Sequence, residues 1–109
     1  MALSLTTPML QTQQASVLAL GQLLTHTDMP LVSWHIDAVY GGLDGQIGIW
    51  AGTRDERREL LSRWADVLGA DIYIGHAGTE AEHFAIRAGV AGAEVRIWTT
   101  ATEEPPDRR

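Results

Sequence analysis

The chain has 109 residues, 45% hydrophobic, 20% charged and 6% aromatic, which is enough for one compact domain around a single core and too little for two. Eight basic residues against 14 acidic leave a formal charge of −6, whereas a nucleic-acid binder carries a basic stripe that displaces phosphate counterions, so nucleic acid is not an expected partner. No stretch approaches the roughly 20 apolar residues that cross a bilayer, and low charge with ordinary hydrophobicity argues against intrinsic disorder.

Residues 1–53 contain Asp28, Asp37 and Asp44 but no Lys or Arg, so an anionic membrane surface would repel this half. The chain has no cysteine, which removes disulfides, thiolate metal ligands and cysteine nucleophiles. Residues 1–24 lack the positive start of a secretory signal, and Gln11, Gln13 and Gln14 interrupt any apolar run, so a cytoplasmic location is the default expectation. All eight positive charges are Arg, and there is no Lys or Asn, a bias of the kind produced by a GC-rich genome.

Taken in chain order, residues 1–7 read as an N-terminal tail, residues 8–101 as a single α+β domain and residues 102–109, with Pro105 and Pro106 among charges, as a disordered tail. Thr7 before Pro8 suits a helix start, and Leu10, Val17, Leu20 and Leu24 recur at helical spacing, which predicts a first helix over about residues 8 to 25. Gly21 is a weak point in it that marks a close backbone approach. Val32, Trp34, Ile36, Ala38 and Tyr40 alternate with Ser33, His35, Asp37 and Val39, the period of a strand. Gly41 and Gly42 suit a two-residue turn into a second strand over residues 43–51, pairing Ile36 with Ile47 and Trp34 with Ile49, although a longer loop through Asp44 and Gly45 also works.

Thr53 and Glu56 form a capping box, Leu60, Leu61, Trp64, Val67 and Leu68 supply an apolar face, and Gly69 suits a left-handed end, which predicts a second helix. Its solvated face would mix Arg54, Arg57, Arg58 and Arg63 with Asp55, Glu56, Glu59 and Asp66, so the two signs cancel. Three further strands follow over about residues 71–76, 82–89 and 93–100, with turns at Gly78 to Glu80 and Gly89 to Gly92. The resulting order is αββαβββ, a mostly antiparallel sheet with two helices packed on one face.

Setting Ile74 opposite Phe84, and Phe84 opposite Ile97, gathers Ile72, Ile86 and Val95 into the core layer. Tyr73, His83, Arg87, Arg96 and Trp98 then face outward, joined by Trp50 and His35 from the hairpin. Arg87 would lie between Asp71 and Glu94 as a cross-strand charge ladder. Trp34 and Trp64 would be buried. Outward tryptophans need a cover, either from the chain's own terminal segments or from a partner, since tryptophan and arginine dominate binding hot spots.

Reactive chemistry finds little support in these residues. His26, His35, His76 and His83 show no zinc spacing; His76, Glu80 and Glu82 could meet around a turn only as an incidental surface cluster. Ser4, Ser16, Ser33 and Ser62 occupy no strained nucleophile turn, and Gly41, Gly42 and Gly45 precede a strand, so no phosphate cradle is indicated. His35 and Asp37 share one strand face and could pair. No metal or cofactor is expected.

Trp34 and Ile36, then Gly42, Leu43, Gly45 and Gln46, then Trp64, Ala65, Leu68 and Gly69, and finally Val95, Ile97 and Trp98 form a pattern that resembles short actinobacterial α+β proteins of uncharacterised role encoded beside regulatory or mobile-element genes. The resemblance spans about residues 31–99 and rests on core and turn positions; it implies a shared fold and carries no catalytic residue. The leading functional expectation is a non-enzymatic protein-interaction or oligomerisation module, an accessory regulator being one form of it, binding itself or another protein through Trp50, Tyr73, Arg87, Arg96 and Trp98. The alternative is a small-ligand binder or minor enzyme with a site near His35, Asp37 and His83.

Overall fold

The structure is a computed structural model that describes residues 3–36, 42–76 and 82–101, with side chains over 10–36, 42–75 and 82–101. Two α-helices, α1 (Leu3–Leu23) and α2 (Arg54–Leu68), accompany five strands: β1 (Ser33–Ile36), β2 (Leu43–Gln46), β3 (Tyr73–His76), β4 (Glu82–Val90) and β5 (Ala93–Thr100). This is the α+β order αββαβββ, in one mixed sheet of spatial order β1-β2-β5-β4-β3. Asp37, Gly41, the Gly78 to Glu80 turn and residues 102–109 lie outside the described residues.

β2 and β5 are parallel neighbours, and the other pairs are antiparallel. After β2 the chain crosses through α2 to the far edge, returns along β3 and β4, and inserts β5 into the centre. The alternation of Ala93, Val95, Ile97 and Thr99 with Glu94, Arg96, Trp98 and Thr100 fits that central place: the first set is buried under the helices and the second faces outward. The pairing of Ile74 with Phe84 is observed, but Phe84 lies opposite Thr99, and Ile97 opposite Ile86. A two-residue slip preserves the faces because the side-chain period is two. Ile74 itself is exposed, since β3 is an edge strand.

The first hairpin differs more. Ile36 pairs with Leu43 and Trp34 with Gly45, so residues 37–42 form the connection and the two-residue turn is overturned. Glycine explains the register: a Cβ on Gly45 would come within 2.6 Å of both the Trp34 ring and Val32, so Trp34 lies across the strand where only glycine leaves room. β2 then stops at Gln46, and residues Ile49–Ala51 form a short 3-10 turn. Ile49, expected inward, is exposed, and Trp50 leaves the sheet.

α2 matches its sequence signals closely. Thr53 Oγ1 accepts from the Glu56 N–H at 3.2 Å, Glu56 Oε1 accepts from the Thr53 N–H at 2.8 Å, and Gly69 closes the helix at φ 66°. Leu61, Trp64 and Ala65 enter the core, where Trp64 meets Trp34 edge-on at 6.1 Å and donates to Pro30 O at 3.2 Å. Such aromatic pairs add about 0.5–1.5 kcal/mol beyond area burial. Val67, assigned to the apolar face, is exposed.

Arg57 corrects the solvated-face expectation, being fully buried. Its Nε donates to Thr99 Oγ1 at 3.0 Å, Nη1 to Gly52 O at 2.7 Å and Nη2 to Thr100 O at 3.1 Å, while Thr99 Oγ1 donates to Ile47 O at 2.7 Å. One guanidinium thus ties the start of α2 to Gly52 and the end of β5, and through the Thr99 hydroxyl to Ile47 just after β2. Residues 57, 61, 64 and 68 lie on one helical stripe, so a long side chain there enters the same interface as Leu61 and Trp64.

α1 begins at Leu3, so residues 3–7 are helical and Thr7 does not cap it. Its buried side also differs from expectation. Ser16, Ala19 and Leu23 are buried with Ala15 and Leu20 partly so, whereas Leu10, Val17 and Leu24 are exposed. Small side chains at 15, 16 and 19 let the helix backbone approach the sheet, which the bulkier row could not do.

Candidate functional site

The helices cover one face of the sheet, and among the described residues no helix covers the other. By alternation the open face carries Ser33 and His35 on β1, Asp44 and Gln46 on β2, Arg96 and Trp98 on β5, His83, Ala85 and Arg87 on β4, and Tyr73 and Gly75 on β3. Tyr73, His83, Arg87, Arg96 and Trp98 therefore share the face assigned to them. Trp50 does not join them; it sits on the 3-10 turn, its indole against Gly48, and is 56% exposed.

Asp44 is the hub that sequence reasoning missed. The parallel register sets Asp44 beside Arg96 and Gln46 beside Trp98. One Asp44 oxygen accepts from Arg96 Nη1 at 2.9 Å and the other from Trp98 Nε1 at 3.0 Å. Arg96 Nη2 lies 2.7 Å from His83 Nε2; guanidinium only donates, so Nε2 accepts and the imidazole in this contact is neutral with its proton on Nδ1. The guanidinium also lies 5.3 Å from the Trp98 ring, and the His83 and Trp98 rings are 5.3 Å apart. His83 is only 3% exposed although it lies on the open face. Gly75 opposite it makes that possible, because a Cβ there would sit 3.1 Å from His83 Nε2.

Arg87 forms a separate, solvated pair. Its Nε donates to the Tyr73 hydroxyl at 3.0 Å and Nη1 to Glu94 Oε2 at 3.3 Å. Arg87 faces Arg96 in register and reaches Glu94 diagonally, and Tyr73 takes the place expected for Asp71. The Tyr73 hydrogen bond and charge, followed by Glu94, raise the Arg87 pKa above its ordinary value.

A shallow cavity of about 300 Å³ opens among His35, Asp44, Arg87, Glu94 and Arg96. His35 and His83 are not brought together: β2 and β5 lie between their strands, a separation of three strand spacings or about 14 Å. Asp37 lies outside the described residues. Among the described residues no three His, Cys, Asp or Glu side chains cluster for a metal ion, and no helix is long and apolar enough to cross a membrane.

The second candidate surface lies on α1. Leu10, Val17 and Leu18 are 51%, 56% and 64% exposed and, with Gln13, Gln14 and Ile36, line an open groove of about 570 Å³. No acidic or basic side chain occurs between residues 1 and 27 apart from His26. The exposed row escaped sequence reasoning because it has the same helical spacing as a core row. No protein-family model, curated protein or solved structure matches the chain.

Proposed function

We propose that the protein is a non-enzymatic interaction module whose docking surface is the outward face of α1 together with Ile36. The observation that carries this reading is the continuity of Leu10, Val17, Leu18 and Ile36 along one groove on a helix without charged side chains. Single exposed leucines are ordinary on a monomer, but a continuous apolar strip on an uncharged surface helix favours association in water. The open sheet face is the weaker candidate for this role. Its Arg96 and Arg87 already hold Asp44 and Glu94, and the Trp98 N–H is bonded to Asp44, so a partner would have to break existing contacts.

Leu18→Glu tests the reading in extracts of the cells that make the protein. The unaltered chain is expected to elute in a particle larger than its monomer, and the variant as a folded monomer. Elution of the unaltered chain at monomer size even from extract holding it at about 300 µM, well above micromolar dissociation, or no effect of Leu18→Glu, would sink it.

A further inference from the structure

Resting on that reading of the α1 face, we infer that its occupant is a second copy of this chain, the two α1 helices packing antiparallel about a two-fold axis at Val17. The first support is spacing. Leu10, Val17 and Leu24 are seven residues apart, close to two helical turns, so they lie along one line of the helix. Leu24 follows the last helical residue, but its N–H still bonds Leu20 O at 2.9 Å and its side chain is exposed. Leu10 and Leu24 are equidistant from Val17. A two-fold axis there sets Val17 against its own copy and Leu10 against Leu24 at both ends, which is the self-matching that a two-fold interface requires.

Gly21 supplies an independent support. It lies on the same outward row, between Val17 and Leu24, and a Cβ built on it meets nothing within 4 Å. Among the described residues nothing uses that gap, although glycine in a helix interior costs about 1 kcal/mol against alanine. The same two-fold places Gln13 of one copy opposite Gly21 of the other, a long side chain against an absent one.

Charge selects the second copy over an acidic or basic partner. The chain carries −6 in all, so most surfaces of two copies repel, whereas residues 1–25 hold no ionisable side chain and meet without repulsion or desolvation of a charge. A charged partner would find nothing on α1 to steer it. Stable interfaces bury about 800 Å² per partner, and a single helix row flanked by Leu18 and Ile36 lies at the lower end, so the dimer should dissociate in the micromolar range.

The absence of native cysteine makes the geometry directly readable. The full chain would be sedimented from about 1 µM to about 300 µM, a range spanning micromolar dissociation, unaltered and as Val17→Arg. Separate Val17→Cys, Leu10→Cys and Leu24→Cys variants would be oxidised. The expected results are a mass that doubles across the series and at least a tenfold weakening by Val17→Arg with unchanged circular dichroism. Val17→Cys should cross-link to itself, and Leu10→Cys should cross-link to Leu24→Cys in preference to itself, since a disulfide needs Cα atoms within about 7 Å. A monomer at every concentration would overturn the second copy while leaving the docking reading to the extract experiment. A dimer indifferent to Val17→Arg would overturn the second copy on α1 and likewise leave the docking reading to the extract experiment, and preferential Leu10→Cys self-linkage would overturn the antiparallel two-fold.

Discussion

The open sheet face and the outward face of α1 both show large side chains to solvent, but they use them differently. On the sheet, Trp98 gives its N–H to Asp44 and keeps its ring beside Arg96 and His83, so the aromatic group is satisfied by its own neighbours. On α1, Leu10, Val17 and Leu18 have no polar handle and border open groove. Exposure of a tryptophan is therefore a poorer guide to a docking surface than the continuity of apolar side chains that nothing among the described residues engages.

The comparison can be tested by substitution, and the largest effect should come from beneath both faces. Trp64 holds α2 to Trp34 and to the segment after α1 through Pro30, so Trp64→Ala should cost about 3–5 kcal/mol in urea unfolding. A smaller loss would show that α1 and the sheet stay joined without it.

Asp44→Ala probes the cross-linked sheet face. It removes acceptors from both Arg96 and Trp98, but Asp44 is 40% exposed at its side chain and water replaces part of the loss, so about 1–2 kcal/mol is expected. A change within noise would mean that the network does not hold the face closed, and the sheet would regain its standing as a docking surface.

Gly21→Ala separates folding from association. In dilute solution it should stabilise the chain by about 1 kcal/mol through helix propensity, whereas at high concentration it should weaken self-association by filling the gap on the outward row. A thermal-melting shift of the same sign and size at all concentrations would contradict a close approach at Gly21.

Ser16→Ala should have the smallest effect. Ser16 is buried against the sheet and its Oγ has no hydrogen-bond partner among the described residues, so removing the hydroxyl should stabilise by about 0.5–1 kcal/mol. Destabilisation would indicate that the hydroxyl has a partner on the inner side of α1.

Local signals determined the elements whose conformation depends on near neighbours. Thr53 with Glu56, and Gly69, set both ends of α2 because capping joins residues three or four apart. The alternation of β4 and β5 was legible because each strand carries its two faces in its own sequence. Their inward and outward sets survived a two-residue error in register for the same reason.

Tertiary structure decided whatever required knowing which surface meets which. Two rows on α1 had helical spacing, and only the closeness of the sheet selected small Ser16 and Ala19 for burial and left Leu10, Val17 and Leu24 outside. Asp44 became the hub of the open face only when β5 inserted beside β2, a parallel contact across more than 50 residues that no local pattern announces. Arg57 was buried for a related reason: the acceptors that satisfy it, Thr99, Thr100 and Gly52, converge only after α2 has docked on the end of the sheet. Capping and alternation are written into neighbouring residues, whereas packing partners are chosen by the assembled surfaces.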